Sequence, residues 1–312
     1  MTPTAAIPVF LASIALMLGA SALFAGRLDH IGMRLGMPET LLGLLTALAA
    51  DAPELSSAIT ALVSHEKSVA VGVVVGSNAF NLAAMLGLSA VVASRVRARH
   101  EALELEAFVG LWLVAVALAV VAGGIGGRVG VALVAVVVVP YVFLLGRGEP
   151  PEHRRERGVD SRREIAHLVL ILVVALAVIV GGSIGAVHSA TDLARAWSVP
   201  QMLVGVVVLA VLTSLPNAWT GVRFGLQRRG SALMSETLNS NSINLVVGLA
   251  LPVALGSLGA FGGLDVFDLA WLLGMTAIAV VLFGRRGGGG RPAGVLLIGL
   301  YAVFLAVQLA VR

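Results

Sequence analysis

Residues 50–82, ADAPELSSAITALVSHEKSVAVGVVVGSNAFNL, return in altered form at residues 213–245 as TSLPNAWTGVRFGLQRRGSALMSETLNSNSINL. Four pairs share an offset of 163 residues without a gap: Pro53 with Pro216, Ser77 with Ser240, Asn78 with Asn241, and Asn81 with Asn244. The preceding segments MPETLLG (37–43) and VPQMLVG (199–205) also match, with one residue inserted before the proline. The sequence therefore contains an internal repeat whose matching positions are mostly polar.

The repeat lies in a chain with the composition of a membrane protein. Of the 312 residues, 58% are apolar and 12% are charged, whereas soluble domains carry about 25% charged residues. Apolar runs of the length that spans a bilayer recur throughout the chain. We expect ten spans, at residues 5–25, 38–64, 68–93, 107–124, 128–146, 165–187, 199–225, 231–257, 266–284 and 293–311.

A polar stretch at residues 147–164 divides the predicted spans into a first five-helix repeat, 1–146, and a second, 165–312. With the N-terminus outside, 17 Lys and Arg residues fall on the inner side and 4 on the outer side, as the positive-inside rule requires. This distribution accounts for the net charge of +4 without nucleic-acid binding. We therefore expect a multi-pass inner or plasma membrane protein, with the glycines of residues 287–290 as a flexible connector.

Five spans per half is an odd number, so the second half must cross the membrane in the opposite sense. Inverted repeats of this kind are typical of secondary transporters, which bind their substrate at the repeat interface near the midplane. The predicted fold is thus all-α and polytopic, with ten transmembrane helices in two inverted five-helix repeats. The chain has no cysteine, which excludes disulfides and thiolate metal sites.

Acidic residues fall inside the second predicted span. Asp51 and Glu54 are three residues apart and share one helical face, although a charge at this depth costs at least about 2.5–3.5 kcal/mol on insertion scales. Pro53 and Pro216 each free a backbone carbonyl four residues earlier. Freed carbonyls beside carboxylates indicate an oxygen-rich site suited to Na⁺ or Ca²⁺.

The third and eighth predicted spans add polar clusters, GSNAFN (76–81) and NSNSINL (239–245). Such residues also serve as packing contacts between membrane helices, but their repetition in both halves favours a binding site. Glu236 is a further acid at membrane depth, either a ligand or a side chain that reaches the inner surface. By contrast, Glu101, Glu104 and Glu106 are expected to form an exposed face before span four.

The two repeats resemble the α-repeats of the cation/calcium antiporter superfamily, which includes the sodium/calcium exchangers. The resemblance rests on ADAPEL (50–55), VGSNAFN (75–81), TSLPN (213–217) and LNSNSIN (238–244). It implies that Glu54 binds Ca²⁺ and Na⁺, and that spans one and six slide past a fixed core. With the polar motif residues, the predicted cation ligands are Asp51, Glu54, Ser77, Asn78, Asn81, Thr213, Ser214, Asn217, Glu236, Ser240 and Asn244.

The sequence also departs from the family pattern. Asn217 stands where the second repeat has a glutamate, Asn239 replaces a glycine, and Asp51 stands where the family has a serine. Our hypothesis is that Glu236 takes over the missing carboxylate and that Asp51 adds another.

The predicted function is cation antiport by alternating access, with Na⁺ entry driving Ca²⁺ outward. A cation/proton exchanger, Na⁺/H⁺ or Ca²⁺/H⁺, is the alternative, because carboxylates that face one another without a cation attract protons. An intramembrane enzyme is a remote alternative, since no H-E-x-x-H motif is present. A passive channel is also remote, because an inverted repeat around a central site is typical of counter-transport. We expect a monomer without cofactors, whose partners are lipid and the transported cations.

Overall fold

A computed structural model describes residues 1–34, 37, 39–98, 100–147, 162–254, 262–285 and 287–311. Most of the predicted linker at 147–164 lies outside the described residues. The helices of the first half are α1 Pro3–Arg34, α2 Glu39–Ala50, α3 Ala52–Val63, α4 Lys67–Asn81, α5 Ser89–Val92, α6 His100–Val121 and α7 Gly127–Gly146. Those of the second half are α8 Arg162–Ala196, α9 Gln201–Leu203, α10 Ala210–Thr213, α11 Leu215–Leu226, α12 Gly230–Leu245, α13 Leu251–Ala254, α14 Gly263–Phe283 and α15 Arg291–Val311.

Long apolar helices dominate the structure. Seven helical stretches among the described residues are long and apolar enough to cross a membrane, and the bent pair of Gln201–Thr213 and Leu215–Leu226 is an eighth candidate. Large apolar side chains such as Val136, Phe143 and Leu170 are exposed on the outside of the bundle, where lipid would cover them. The protein is therefore a multi-pass helical membrane protein. The remaining two predicted spans, 38–64 and 231–257, are helical where described and carry the polar motifs.

The polypeptide breaks at the same position of each repeat. Asp51 separates α2 from α3, and Ser214 separates α10 from α11 with a bend of 48°. Pro53 and Pro216 occupy the first turn of the following helix, where a missing N–H leaves no hydrogen bond unmade. The predicted helix breaks are thus present in both halves.

The two polar helices also change geometry at equivalent points. α4 continues into a π-helical stretch, Leu82–Leu88, and α12 continues into another, Val246–Ala250. A third π-helical stretch, Val204–Leu209, lies between α9 and α10. π-Helical turns are rare in proteins, and those that occur are often found at functional sites. The helix from Lys67 to Val92 is almost entirely buried and forms the centre of the bundle.

The longest helices, α1 with 32 residues and α8 with 35, pack along each other. Two glycines of α8 permit this approach, because a Cβ at Gly185 would overlap Ser13 Oγ and one at Gly182 would lie 2.9 Å from the Ser13 carbonyl oxygen. α8 contacts α3 through hydroxyl groups: Ser183 Oγ lies 2.8 Å from Ser56 Oγ and 2.9 Å from Thr60 Oγ1.

The glycine-rich segment before α15 is ordered by strand pairing. β1 (Arg95–Val96) pairs antiparallel with β2 (Gly289–Gly290). Gly288 has φ +70°, and a side chain there would overlap the Val96 carbonyl oxygen, so these positions require glycine. The prediction of a simple flexible connector is therefore wrong. We call the side of the bundle that carries these strands the bridge face.

The prediction of an exposed acidic face before span four is only partly correct. Glu104 is exposed, but Glu106 is 9% exposed. The reason is that α6 begins at His100, earlier than the predicted span, so Glu106 lies nearly two turns into the helix and faces α12.

Candidate cation site

The first helix break brings two carboxyl groups into the core. Asp51 is 0% exposed and Glu54, in the first turn of α3, is 1% exposed. Both face the second half of the chain, because their hydrogen-bond partners are residues of α11 and α12. No Lys, Arg or His among the described residues forms an ion pair with either carboxyl group. Basic side chains among the described residues therefore do not neutralise the Asp51–Glu54 pair.

Asn217 connects the two carboxyl groups. It occupies the first turn of α11, at the place that Glu54 occupies in α3. Its Nδ2 donates to Asp51 Oδ1 at 2.7 Å and to Glu54 Oε1 at 2.8 Å, and lies 3.4 Å from Ser240 Oγ. The amide that replaces the family's second glutamate thus supplies donors between the remaining acids.

The polar helices α4 and α12 complete the network. Ser240 Oγ donates to Asp51 Oδ1 at 2.7 Å and accepts from Asn81 Nδ2 at 3.0 Å. Asn244 Nδ2 donates to Glu54 Oε2 at 2.9 Å. It also donates to Asn78 Oδ1 at 3.1 Å.

A symmetric pair of hydrogen bonds joins α4 to α12. Asn78 Nδ2 donates to the Asn241 carbonyl oxygen at 3.2 Å, and Asn241 Nδ2 donates to the Asn78 carbonyl oxygen at 3.1 Å. The two residues are the same position of the two repeats. Asn241 was identified as a repeat match but was not predicted as a site residue, although the repeat was the signal that could have included it.

We define the central cluster as the buried polar residues around both breaks. None of its members is more than 5% exposed. They are Asp51, Glu54, Ser77, Asn78, Asn81, Ser214, Asn217, Ser240, Asn241 and Asn244. All except Ser77 and Ser214 belong to one continuous hydrogen-bond network.

Five oxygen atoms of the central cluster are buried and have no hydrogen-bond partner among the described residues. They are Asp51 Oδ2, Ser77 Oγ, Asn81 Oδ1, Ser214 Oγ and Asn244 Oδ1. An unsatisfied buried polar atom costs about 1–3 kcal/mol, so five in one region need an explanation. Carboxylate, amide and hydroxyl oxygens are the ligands that hard cations prefer, and a bound cation would satisfy them.

Two predicted site residues, Thr213 and Glu236, lie outside the central cluster. Thr213 is buried, but its Oγ1 donates to the Leu209 carbonyl oxygen of its own helical segment at 2.8 Å. Glu236 is half-buried and makes no hydrogen bond to the described residues. Accordingly, the described residues contain no group of three or more His, Cys, Asp or Glu that could hold a metal. The role of Glu236 as a replacement carboxylate stays a prediction.

Comparisons with known proteins cover nearly the whole chain. A family model described as "Sodium/calcium exchanger protein" matches residues 5–146 and 167–310. The inner membrane protein YrbG of Escherichia coli K12 is 28% identical over 87% of both chains. The sodium-calcium exchanger NCX_Mj has the same fold, with a TM-score of 0.69 over the full length of both chains at 20% identity. The H⁺/Ca²⁺ exchanger CAX aligns with a TM-score of 0.79 over 96% of this chain and 82% of its own, at 16% identity.

Proposed function

Because the chain belongs to the sodium/calcium exchanger family, as its repeats predicted, we propose that it exchanges Ca²⁺ for Na⁺ at the central cluster. The family and the structural neighbours are exchangers, so the protein is an ion transporter and not an enzyme. The specific ions, the ligands and the topology are part of the proposal.

The proposed topology has ten spans in two inverted repeats, 1–146 and 165–312, with the N-terminus outside. Helices at all ten predicted positions, breaks that are 163 residues apart, and the Asn78–Asn241 pair support it. Because the chain lacks cysteine, Ala122→Cys and Gln227→Cys provide matched single labels. We expect an impermeant maleimide added to intact cells to label only the first. Labelling of Gln227→Cys from outside would contradict the proposed orientation.

The set of unsatisfied oxygens in the central cluster carries the proposal. Ca²⁺ binds six to eight oxygen ligands, and five buried oxygens here lack a partner among the described residues. Asp51 and Glu54 supply up to two negative charges, which balance the two positive charges of one Ca²⁺ ion. Both carboxyl groups lie among neutral amides and hydroxyls, which suit Na⁺ as well.

The asparagines allow the cluster to change from an empty to a bound state. In the structure, Asn217 and Asn244 direct their N–H groups at the carboxyl groups. A side-chain amide carries a donor and an acceptor on the same carbon. Rotation of an amide would therefore replace a donor that binds a carboxylate with an oxygen that binds a cation.

Alternating access is proposed to involve movement of α1 and α8 relative to the other helices. The two helices pack against each other through small residues, and α8 meets α3 through Ser183, Ser56 and Thr60. Ser21 of α1 donates to the carbonyl oxygen of Ala49, two residues before the first break, at 3.3 Å. A hydroxyl can exchange partners at little cost as a helix slides.

Cation/proton exchange is the second candidate. One observation favours it: Asp51 and Glu54 accept hydrogen bonds from the same Asn217 nitrogen, and no basic side chain among the described residues pairs with them. Two neighbouring buried carboxyl groups repel each other when both are ionised, and one proton relieves the repulsion. Ca²⁺/H⁺ or Na⁺/H⁺ exchange would use that proton as the counter-ion.

Flux measurements on purified protein in liposomes distinguish the two candidates. We expect an outward Na⁺ gradient to drive ⁴⁵Ca²⁺ uptake, and uptake by Glu54→Gln liposomes to be ~100-fold lower. Protein-free liposomes control for leakage. Uptake that follows an imposed pH gradient and ignores Na⁺ would contradict sodium coupling and favour the proton exchanger.

A further inference from the structure

Another buried carboxyl group, that of Glu106, lies outside the central cluster, at the contact of α6, α7 and α12. Ser235 Oγ donates to Glu106 Oε1 at 2.5 Å, and Asn239 Nδ2 donates to Ser235 Oγ at 3.3 Å. Tyr141 Oη in turn donates to Asn239 Oδ1 at 2.5 Å. Each hydrogen bond in this series is donated in the direction of Glu106, and Tyr141, Asn239 and Ser235 are all neutral.

The second carboxyl oxygen, Glu106 Oε2, is buried and has no hydrogen-bond partner among the described residues. α6 packs against α7, α12, α14 and the π-helical stretch 246–250, and no basic group on the described parts of these elements forms an ion pair with it. Titratable groups on or beside these elements include Glu104 in α6, Tyr141 in α7 and Arg147 just after it, Arg229 just before α12 and Glu236 in it, and Arg285 after α14.

The three arginines have other contacts. Arg147 lies over the Phe143 ring at 4.2 Å, and Arg229 lies over the Phe224 ring at 4.7 Å. Arg285 lines a cavity with Glu104 between α6, α12 and α14, and the lining of that cavity does not include Glu106. The remaining acids of α14, Asp265 and Asp268, lie near its start, whereas α6 meets the end of α14 at this cavity.

The location of Glu106 disfavours the ionised form of its carboxyl group. It lies six residues from His100, at which α6 begins close to the bridge face, or about 9 Å along the helix. Asn239 is the neighbour of Ser240, which binds Asp51. The carboxyl group therefore lies between the bridge face and the central cluster, in a region where an unpaired charge is strongly disfavoured.

We propose that Glu106 is a proton-binding site separate from the central cluster, and that the folded protein carries a proton on its Oε2. The proton comes from water at the bridge face and converts the carboxylate to a neutral carboxylic acid. Oε1 then still accepts from Ser235. Through Ser235 and Asn239, the protonation state of Glu106 affects α12 next to Ser240, so pH acts on the cluster from outside it.

Infrared spectroscopy tests this directly. The Asp51→Asn/Glu54→Gln double variant is used as background, so that the central carboxyl groups contribute nothing and a failure of the proposed function leaves the test intact. We expect the carbonyl band of a protonated carboxyl group near neutral pH, its loss in Glu106→Gln, and its retention in Glu104→Gln, an exposed acid on the same helix. A band that is unchanged in Glu106→Gln, or is absent from the background protein, overturns the proposal.

Thermal unfolding in the same background gives an independent readout. The folded protein holds a proton that the unfolded chain releases at neutral pH, so stability falls as pH rises until Glu106 also ionises in the folded state. One proton corresponds to roughly 3 °C per pH unit in the midpoint. We expect Glu106→Gln to lack this component and Glu104→Gln to retain it. A Glu106-dependent midpoint that follows Na⁺ concentration and not pH would overturn the proton assignment.

Tyr141→Phe keeps the proposal testable if Glu106→Gln does not fold. Without the Tyr141 hydroxyl, Asn239 and Ser235 are less polarised. The hydrogen bond from Ser235 then stabilises the ionised form of Glu106 less. The band of the protonated group should then persist to higher pH than in the background protein. An unchanged or lower pH of disappearance contradicts the role given to the chain.

Discussion

The two halves of the molecule share a backbone but divide the chemistry between them. Each has a helix break followed by a proline, and the breaks are at Asp51 and Ser214. The carboxyl groups of the central cluster, however, all come from the first half, whereas the second half contributes the amides of Asn217 and Asn244 that donate to them. The cluster is therefore complementary across the repeat axis and not a duplication.

The same contrast extends to helix packing. Gly76 lets α4 approach the second half so closely that a Cβ would lie 2.9 Å from the Val206 carbonyl oxygen. The equivalent position of the second repeat is Asn239, whose side chain contacts Tyr141 and Ser235. One glycine replaced by an amide thus joins a second polar region to the helix that carries Ser240. Divergence of the two repeats has produced chemistry that a symmetric pair would lack.

The largest effect is expected from removing an acid of the first half. Glu54→Gln replaces a carboxylate by an amide of similar size and breaks a buried charged contact. Such a loss costs about 3 kcal/mol or more, so Ca²⁺ uptake into liposomes should fall by ~100-fold. Glu104→Gln, which is exposed, should leave uptake unchanged. Uptake within twofold of the wild type in Glu54→Gln would mean that the cluster does not bind the transported ion.

Much of this contrast could be predicted from the sequence. The 163-residue offset located both breaks and most of the polar residues that the structure brings together, because a repeat constrains positions without any knowledge of tertiary contacts. The departure at Asn217 also signalled that the halves differ. What the repeat could not give is which carboxyl oxygen each amide contacts, since that depends on how α11 and α12 cross α3.

The sequence prediction failed where tertiary packing decides the outcome. Glu106 follows two other glutamates and is typical of a solvated face, yet the earlier start of α6 turns it towards α12. Gly289 and Gly290 are typical of a linker, yet they pair with Arg95 and Val96, almost 200 residues away in the chain. Neither contact leaves a periodic pattern in the local sequence.

Placing an acid in the second half should remove the match between the carboxylates of the first half and the amide donors of the second. Asn217→Glu replaces a donor by a third carboxylate beside Asp51 and Glu54. In EDTA we expect a loss of about 3 kcal/mol of stability from the unpaired charge, and a larger stabilisation by Ca²⁺ than in the wild type. Thermal unfolding with and without Ca²⁺ measures both. Gln227→Glu on an exposed loop is the control, and equal stability of Asn217→Glu and wild type in EDTA would refute the donor role of Asn217.

The symmetric pair Asn78 and Asn241 differs from the acids, because equivalent substitutions in the two halves should have similar effects. Asn78→Ala and Asn241→Ala each remove one side of the reciprocal pair between α4 and α12. Each should lower stability by about 1–3 kcal/mol, since a buried carbonyl loses its donor. The double variant should lose less than the sum, because the pair acts as a unit. Additive losses in denaturation measurements would show that the two bonds form independently.

The smallest effect is expected at Glu236, the acid of the second half that the structure leaves outside the hydrogen-bond network. Its carboxylate is half-buried one helical turn before Ser240, so we expect it to act on a bound cation through space and not as a hydrogen-bonded member of the cluster. A partly screened charge at that distance contributes well under the effect of a direct ligand, and Glu236→Gln should weaken the Ca²⁺ dependence of uptake by about threefold. Glu236→Asp keeps the charge and should keep the affinity. No change in Glu236→Gln would end the hypothesis of a relocated carboxylate, whereas a loss as large as that of Glu54→Gln would mean that Glu236 enters the cluster when the cation binds.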